Sequence, residues 1–338
     1  VERSRGLGDV YKRQARRTPG CWSREMLGRH ADSLFWMARY LERAENSARR
    51  IQAAFHHTLT RKPDGDEEWA AIIKSTGMIE EFNDHYDSMV MTNAINFILR
   101  DKANEDSVIS LLAKARQNAR SVRAALTQEV WQSLNESWMT GSEALKRPVR
   151  MQDLPAILED IIKSSSVFRG ALYGTMLHND IFNFLRLGTF IERADNTARI
   201  VGFRYQRLLP TASISIGEPD SSQWEILLRS LSAWKSYNWL HRGNLEPSDV
   251  ASFLIFDDRM PRSLSFCYKA ICTNLLDLET AYGRDYASGH QARETLRRLE
   301  VGKKRDIHRL SLREFVNGLI LENNDLSRAI AGEFNLER

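Results

Sequence analysis

A chain of 338 residues, 42% hydrophobic and 27% charged, holds enough apolar material for a large core and excludes a disordered polypeptide. The formal net charge is +4, yet seven Lys/Arg against three acids lie in residues 1–25, and the remainder carries 41 of each sign. A neutral body lacks the electrostatic footprint of a nucleic-acid binder, so no nucleic-acid partner is expected.

Residues 1–25 show no periodicity and precede Met26; they are expected to be a non-native or disordered leader. From Met26 onward the apolar residues recur at helical spacing, and the few Gly and Pro fall mostly between periodic segments, which predicts an all-α fold. A first unit over 26–140 is predicted to hold helices near 31–60, 67–82, 85–99, 105–127 and 128–138, with Pro63-Asp64-Gly65 separating the first two. Residues 141–177 form a loop and a bridging helix, with Leu154, Leu158, Ile161, Ile162 and Val167 on an apolar face. A second unit follows over 178–286, and residues 287–338 supply C-terminal helices. The seven tryptophans from Trp36 to Trp239 sit at helical positions and are expected in the core.

The two units repeat one another. Tyr40-Leu-Glu-Arg-Ala-Glu-Asn-Ser-Ala-Arg49 is answered by Phe190-Ile-Glu-Arg-Ala-Asp-Asn-Thr-Ala-Arg199, Trp69 by Trp224, and Asp101 with Ser107 by Asp257 with Ser263, all in the same order. The fold class expected is thus a tandem duplication of a multi-helix unit packed as one bundle assembly. Ser107 and Ser263 stand where a helix N-cap or first-turn hydroxyl would go, each after a loop acid.

On a wheel of roughly 100° per residue, Leu34, Met37, Leu41, Ala44, Ala48 and Ile51 define the core face of the first helix. Glu42, Asn46 and Arg49 fall on the other side, and Glu192, Asn196 and Arg199 do the same in the second copy, where Leu185 and Phe203 bracket the stripe. A polar stripe between apolar residues is expected to sink into a second interface, where each charge needs a partner. Three accounts stay open. Glu45 with Arg49 and Asp195 with Arg199 are i,i+4 pairs, and Glu42, Arg43, Glu192 and Arg193 would reach other helices as buried structural ion pairs. Alternatively the stripes meet near a pseudo-twofold axis and form a pocket suited to a peptide-like or carboxylate ligand. The third account is a protein-binding surface.

Other chemistry finds little support. Glu81 and His85 could share a metal, but their counterparts Ser236 and Leu240 are not ligands, so no metal and no cofactor are expected. His56-His57 and the series Arg116, Arg120, Arg123 read as solvated helix residues. Cys21 lies in the leader, and Cys267 and Cys272 point in different directions on one predicted helix, which excludes a disulfide framework. No apolar run approaches the roughly 18 residues of a membrane span, so no membrane partner and a cytoplasmic location are expected.

The long block from Met26 to Arg49, with its echo at 190–199, resembles the Alpha-E family, bacterial helical proteins with a characteristic Glu-Arg motif and no assigned function. The resemblance implies a part in peptide synthesis or modification, alongside a circularly permuted ATP-grasp ligase and a transglutaminase-like protein. It carries over Glu42, Arg43, Glu192 and Arg193 as signature residues rather than catalytic ones. The expectation is a non-catalytic subunit or binding scaffold; the alternative is an enzyme using Glu42 or Glu192 as acid/base on a peptide-like substrate.

Overall fold

The computed structural model describes residues 24–60, 65–208, 221–304 and 309–336. Among them are fourteen α-helices and no strand. The first seven are α1 (Arg24–Thr60), α2 (Gly65–Thr76), α3 (Ile79–His85), α4 (Met91–Leu99), α5 (Val108–Ser121), α6 (Gln128–Ala144) and α7 (Leu154–Thr175). The second seven are α8 (Asp180–Leu208), α9 (Ser221–Ser230), α10 (Trp234–His241), α11 (Pro247–Phe256), α12 (Leu264–Tyr282), α13 (Ala287–Lys304) and α14 (Arg309–Glu333). No helix among the described residues is long and apolar enough to cross a membrane.

The long helices α1 and α8 pack against each other at the centre. Around α1 lie α5 and α7, with α6 filling in behind them; around α8 lie α12 and α14, with α13 behind. The same order of packing thus serves both halves. Leu34, Met37, Leu41, Ala44, Ala48 and Ile51 of α1 are all buried, as the 3.6-residue period requires of a core-facing stripe. Phe182, Leu185, Ile191, Ala194 and Ala198 of α8 are buried too. The central helices approach closely at Gly188, where a Cβ would overlap the backbone carbonyl of Phe35 and sit 3.2 Å from Ala38 Cβ. Only a residue without a side chain lets the two backbones meet there.

Several helix ends depart from the sequence reading. The helix expected over 67–82 is two helices, because Gly77 at φ +79° terminates α2 in a left-handed turn. The one expected over 105–127 starts after its Ser107 cap and stops at Ser121, followed by a 3-10 turn at Arg123–Ala125. The third predicted helix, near 85–99, begins only at Met91, and α6 runs on to Ala144, into the expected loop. Trp239, expected in the core, is 88% exposed, and Val167 on the expected apolar face of the bridging helix is exposed as well. Trp69 and Trp224, matched in the repeat, are fully buried. The helix α1 begins at Arg24, two residues inside the expected leader; the rest of that leader, Cys21 and the Pro63-Asp64 break lie outside the described residues.

Candidate functional site

The Glu-Arg motif sits where α1 and α8 cross, and its two copies pair with each other. Arg193 of α8 donates from Nε to Glu42 Oε1 and from Nη2 to Oε2, both at 2.9 Å. Arg43 of α1 donates from Nε to Glu192 Oε1 at 2.6 Å and from Nη2 to Oε2 at 3.0 Å. Both are two-pronged guanidinium–carboxylate pairs, the strongest geometry available to these groups. Arg39 adds a bond from Nε to Glu192 Oε2 at 3.0 Å, while its guanidinium lies over the Trp36 ring.

On one side of this crossing the chain fills the space itself. Arg262, in the loop before α12, is buried and donates from Nη1 to Glu42 Oε1 at 2.9 Å and to Asn46 Oδ1 at 2.8 Å. Its Nη2 reaches Glu45 Oε1 at 2.8 Å. The loop is held in place by Thr197, whose hydroxyl donates to the Arg262 carbonyl at 2.8 Å. Glu45 also accepts from Arg49 and Ser165, at 2.8 and 2.6 Å, and from Arg169 of α7. Burial opposes ionisation of Glu42, but the guanidinium groups of Arg193 and Arg262 outweigh it and hold the carboxyl below its usual range. Glu45 is likewise depressed against burial by Arg262, Arg169 and Arg49. Against the same burial penalty, Arg43 and Arg39 hold Glu192 down at about 2. All three are fixed anions at neutral pH.

On the other side lies a cavity of about 310 Å³. Its floor is the two motif helices: Arg43, Asn46 and Arg50 from α1, and Glu192, Asp195 and Asn196 from α8, with Arg199 at one edge. The rim comes from the Ser75–Met78 turn, from Phe97 and Ile98 of α4, and from Asn104 and Asp106 in the following loop. Asp106 binds Arg43 Nη1 at 2.9 Å, and Arg199 binds Asp195 Oδ2 at 2.6 Å. Four buried polar atoms of these floor residues have no hydrogen-bond partner: Asn46 Nδ2, Asn196 Nδ2, Arg50 Nε and Asp195 Oδ1. Burial brings Arg50 down to about 10, with Arg43 and Arg199 adding to the effect and Glu192 and Asp195 opposing it.

The stripe residues named from sequence therefore divide. Glu42, Glu45, Arg49 and Arg193 belong to the packed ionic lattice. Arg43, Asn46, Glu192, Asp195, Asn196 and Arg199 line the cavity, and Glu45 with Arg49 and Asp195 with Arg199 do form i,i+4 pairs. Asp101, Ser107, Asp257 and Ser263 do not reach the cavity lining. Ser107 and Ser263 are N-caps of α5 and α12, accepting from Ser110 N and Phe266 N. Asp101 shapes its loop by accepting from Ala103 N at 2.9 Å and Tyr86 Oη at 3.0 Å; burial, then Asp101 itself, pushes the Tyr86 phenol up to about 12. Asp257 accepts from Arg259 N at 2.9 Å and from its guanidinium.

Sequence reasoning missed Arg50, Asp106, Arg169 and Arg262. One signal was present: Asp106 and Arg262 each immediately precede a matched serine cap, so the repeat aligns an acid with a base. Among the described residues no group of three or more His, Cys, Asp or Glu is placed to hold a metal ion. Glu81 and His85 meet only through His85 Nδ1 and the Glu81 carbonyl at 2.8 Å. Cys267 and Cys272 are free thiols.

Residues 26–334 match the Alpha-E family model, described as a predicted alpha-helical domain with a conserved ER motif. An uncharacterized protein of Mycobacterium bovis is 24% identical over 270 residues, covering 74% of this chain and 30% of its own length. An uncharacterized protein of Mycobacterium tuberculosis strain H37Rv is 23% identical over the same span and coverage. The chain thus spans under a third of the curated relatives it matches. No solved structure matches it.

Proposed function

We propose that this chain, which belongs to the Alpha-E family, is a non-catalytic binding subunit whose cavity between the two Glu-Arg helices holds a small peptide-like ligand. The carrying observation is the set of buried, unpartnered polar atoms on that cavity's floor. Unpaired buried groups cost roughly 1–3 kcal/mol each, and four of them belong to residues that line this one cavity, which favours a ligand that satisfies them there. At 310 Å³ the space is at the small end of ligand pockets, which run from roughly 300 to 1,000 Å³.

Within that reading the subunit acts in peptide synthesis or modification, presenting its ligand to an ATP-grasp ligase with a transglutaminase-like protein as a further partner. The alternative, an enzyme using Glu42 or Glu192 as acid/base, is weakened by the guanidinium pairs around both carboxylates. A general acid or base works best with a pKa near the operating pH, and these two are held far below it.

The test is reconstitution with a circularly permuted ATP-grasp ligase and a transglutaminase-like protein. ATP-dependent product formation is expected to require the chain, and to fall when Arg50 is replaced by Gln. Turnover of a peptide substrate by the chain alone, abolished in a fully folded Glu192→Gln variant, would move it to the enzyme class.

A further inference from the structure

The two sides of the helix crossing are related by the sequence repeat, and comparing them tells what the open side lacks. On the filled side, Glu42, Glu45 and Asn46 receive the guanidinium of Arg262. Their counterparts Glu192, Asp195 and Asn196 line the cavity, where the position matching Arg262 is Asp106, which turns instead to Arg43. So among the described residues the cation that bonds Glu45 on one side has no equivalent on the other. The vacancy shows in Asp195, whose Oδ1 is buried without a partner while Oδ2 is held by Arg199.

A second exchange runs the opposite way. Ile200 in the second half corresponds to Arg50 in the first. Arg50 lines the cavity and, among the described residues, donates from Nη2 to Ser47 Oγ at 3.2 Å, leaving Nε unpartnered. Asn46 stands one turn before it, 1% exposed, with its Oδ1 occupied by Arg262 and its Nδ2 left over. Asn196, 7% exposed, contributes another unpartnered Nδ2 from the facing helix. Relative to the filled side, the open one has lost an internal cation beside an acid and gained a guanidinium.

Resting on the reading of this cavity as a binding site, we infer that its ligand is a zwitterion, a free α-amino acid or a dipeptide. Its carboxylate is held by Arg50 with the Nδ2 groups of Asn46 and Asn196. Its ammonium takes the place beside Asp195 Oδ1 that Arg262 occupies beside Glu45. The guanidinium supplies a charge-assisted donor and the two amides complete the lone pairs of the carboxylate. Met78, Phe97 and Ile98 give the side chain of the ligand an apolar wall. Because Arg262 occupies the matching space, each chain binds one ligand rather than two.

Calorimetry on the full chain with the dipeptide Ala-Leu, its N-acetyl form, its C-terminal amide and inorganic phosphate tests this. Ala-Leu is expected to bind at one per chain, and either blocking group is expected to weaken it at least tenfold. Arg50→Gln and Asp195→Asn should each lower affinity for Ala-Leu at least tenfold. The Asp195→Asn loss should vanish for the N-acetyl form, which a merely structural defect would not allow. Circular dichroism melts of both variants establish that they fold. Equal binding of free and N-acetylated dipeptide, or binding of phosphate alone, overturns the zwitterion. Absence of binding by every probe overturns it too. In that case an Arg50→Gln variant that still fails to support the reconstituted ligase leaves the subunit reading standing, whereas one that supports it fully removes both.

Discussion

Glu42 and Arg193 meet across the two central helices in a two-pronged pair with both contacts at 2.9 Å, and Arg43 and Glu192 repeat that pair in reverse. Each motif copy pairs with the other half of the chain, and Arg43 is bonded in addition by Asp106 of its own half. On the filled side the lattice is closed, since Arg262 and Arg169 bond the oxygens of Glu42 and Glu45 as well.

Removing one member of such a lattice leaves its partners charged and buried. Glu42→Gln strands Arg193 and leaves Arg262 with Glu45 as its one acidic partner, and the expected loss of stability is about 3–5 kcal/mol. By contrast Arg150→Ala removes an exposed pair with Asp153 and should cost less than about 1 kcal/mol. Urea titrations of the two variants beside the parent check both figures; a Glu42→Gln protein as stable as the parent would show that the lattice tolerates a missing charge.

Acid should loosen the same crossing. The Glu192 carboxyl lies at about 2 in the fold against an ordinary value of 4.5. A depressed carboxylate contributes stability that is fully present above the unfolded value and lost as pH falls through the folded one. Melting temperature is therefore expected to hold steady down to pH 4.5 and to drop between there and pH 2. Glu192 alone accounts for about 3 kcal/mol of that loss. In Glu192→Gln the drop should be shallower, from a lower starting point; an unchanged slope would assign the acid lability elsewhere.

The close approach at Gly188 makes a third test. An alanine there would push its Cβ into the Phe35 carbonyl, and backbone cannot yield as a side-chain tip can. Gly188→Ala is expected to destabilise by about 1–3 kcal/mol, as other overpacked substitutions do. Gly170 lies within α7 with nothing within 4 Å of its would-be Cβ. Gly170→Ala is expected to stabilise by about 0.5–1 kcal/mol through helix propensity alone. Thermal melts showing the same sign for both would contradict the packing argument.

The central helices and their buried stripe were legible because both core and motif follow one helical period, and the repeat supplied a second copy. Leu34 through Ile51, with Leu185 in the matching helix, are buried where the wheel puts them. The cavity floor was legible for the same reason in all but one of its residues, Arg50. Arg262 and Asp106 were not, because they reach the crossing from loops, where no period ties a residue number to a direction. Arg50 fell outside the repeated decapeptide by a single position. Trp239 illustrates the converse: its short helix α10 ends in a left-handed turn at Arg242, and a tryptophan at a helical position can still face outward when that helix covers only a corner of the core.

The reciprocal pairing of Glu42 with Arg193 and of Arg43 with Glu192 also has a meaning for assembly. In a two-fold interface between identical chains, residue i of one subunit meets residue j of the other, and j meets i. That is the pattern found here inside one polypeptide. The two Glu-Arg pairs thus tie the halves of one polypeptide together as an isologous contact ties two subunits, and because the halves are not identical one side of the contact is closed by Arg262 while the other opens onto the cavity.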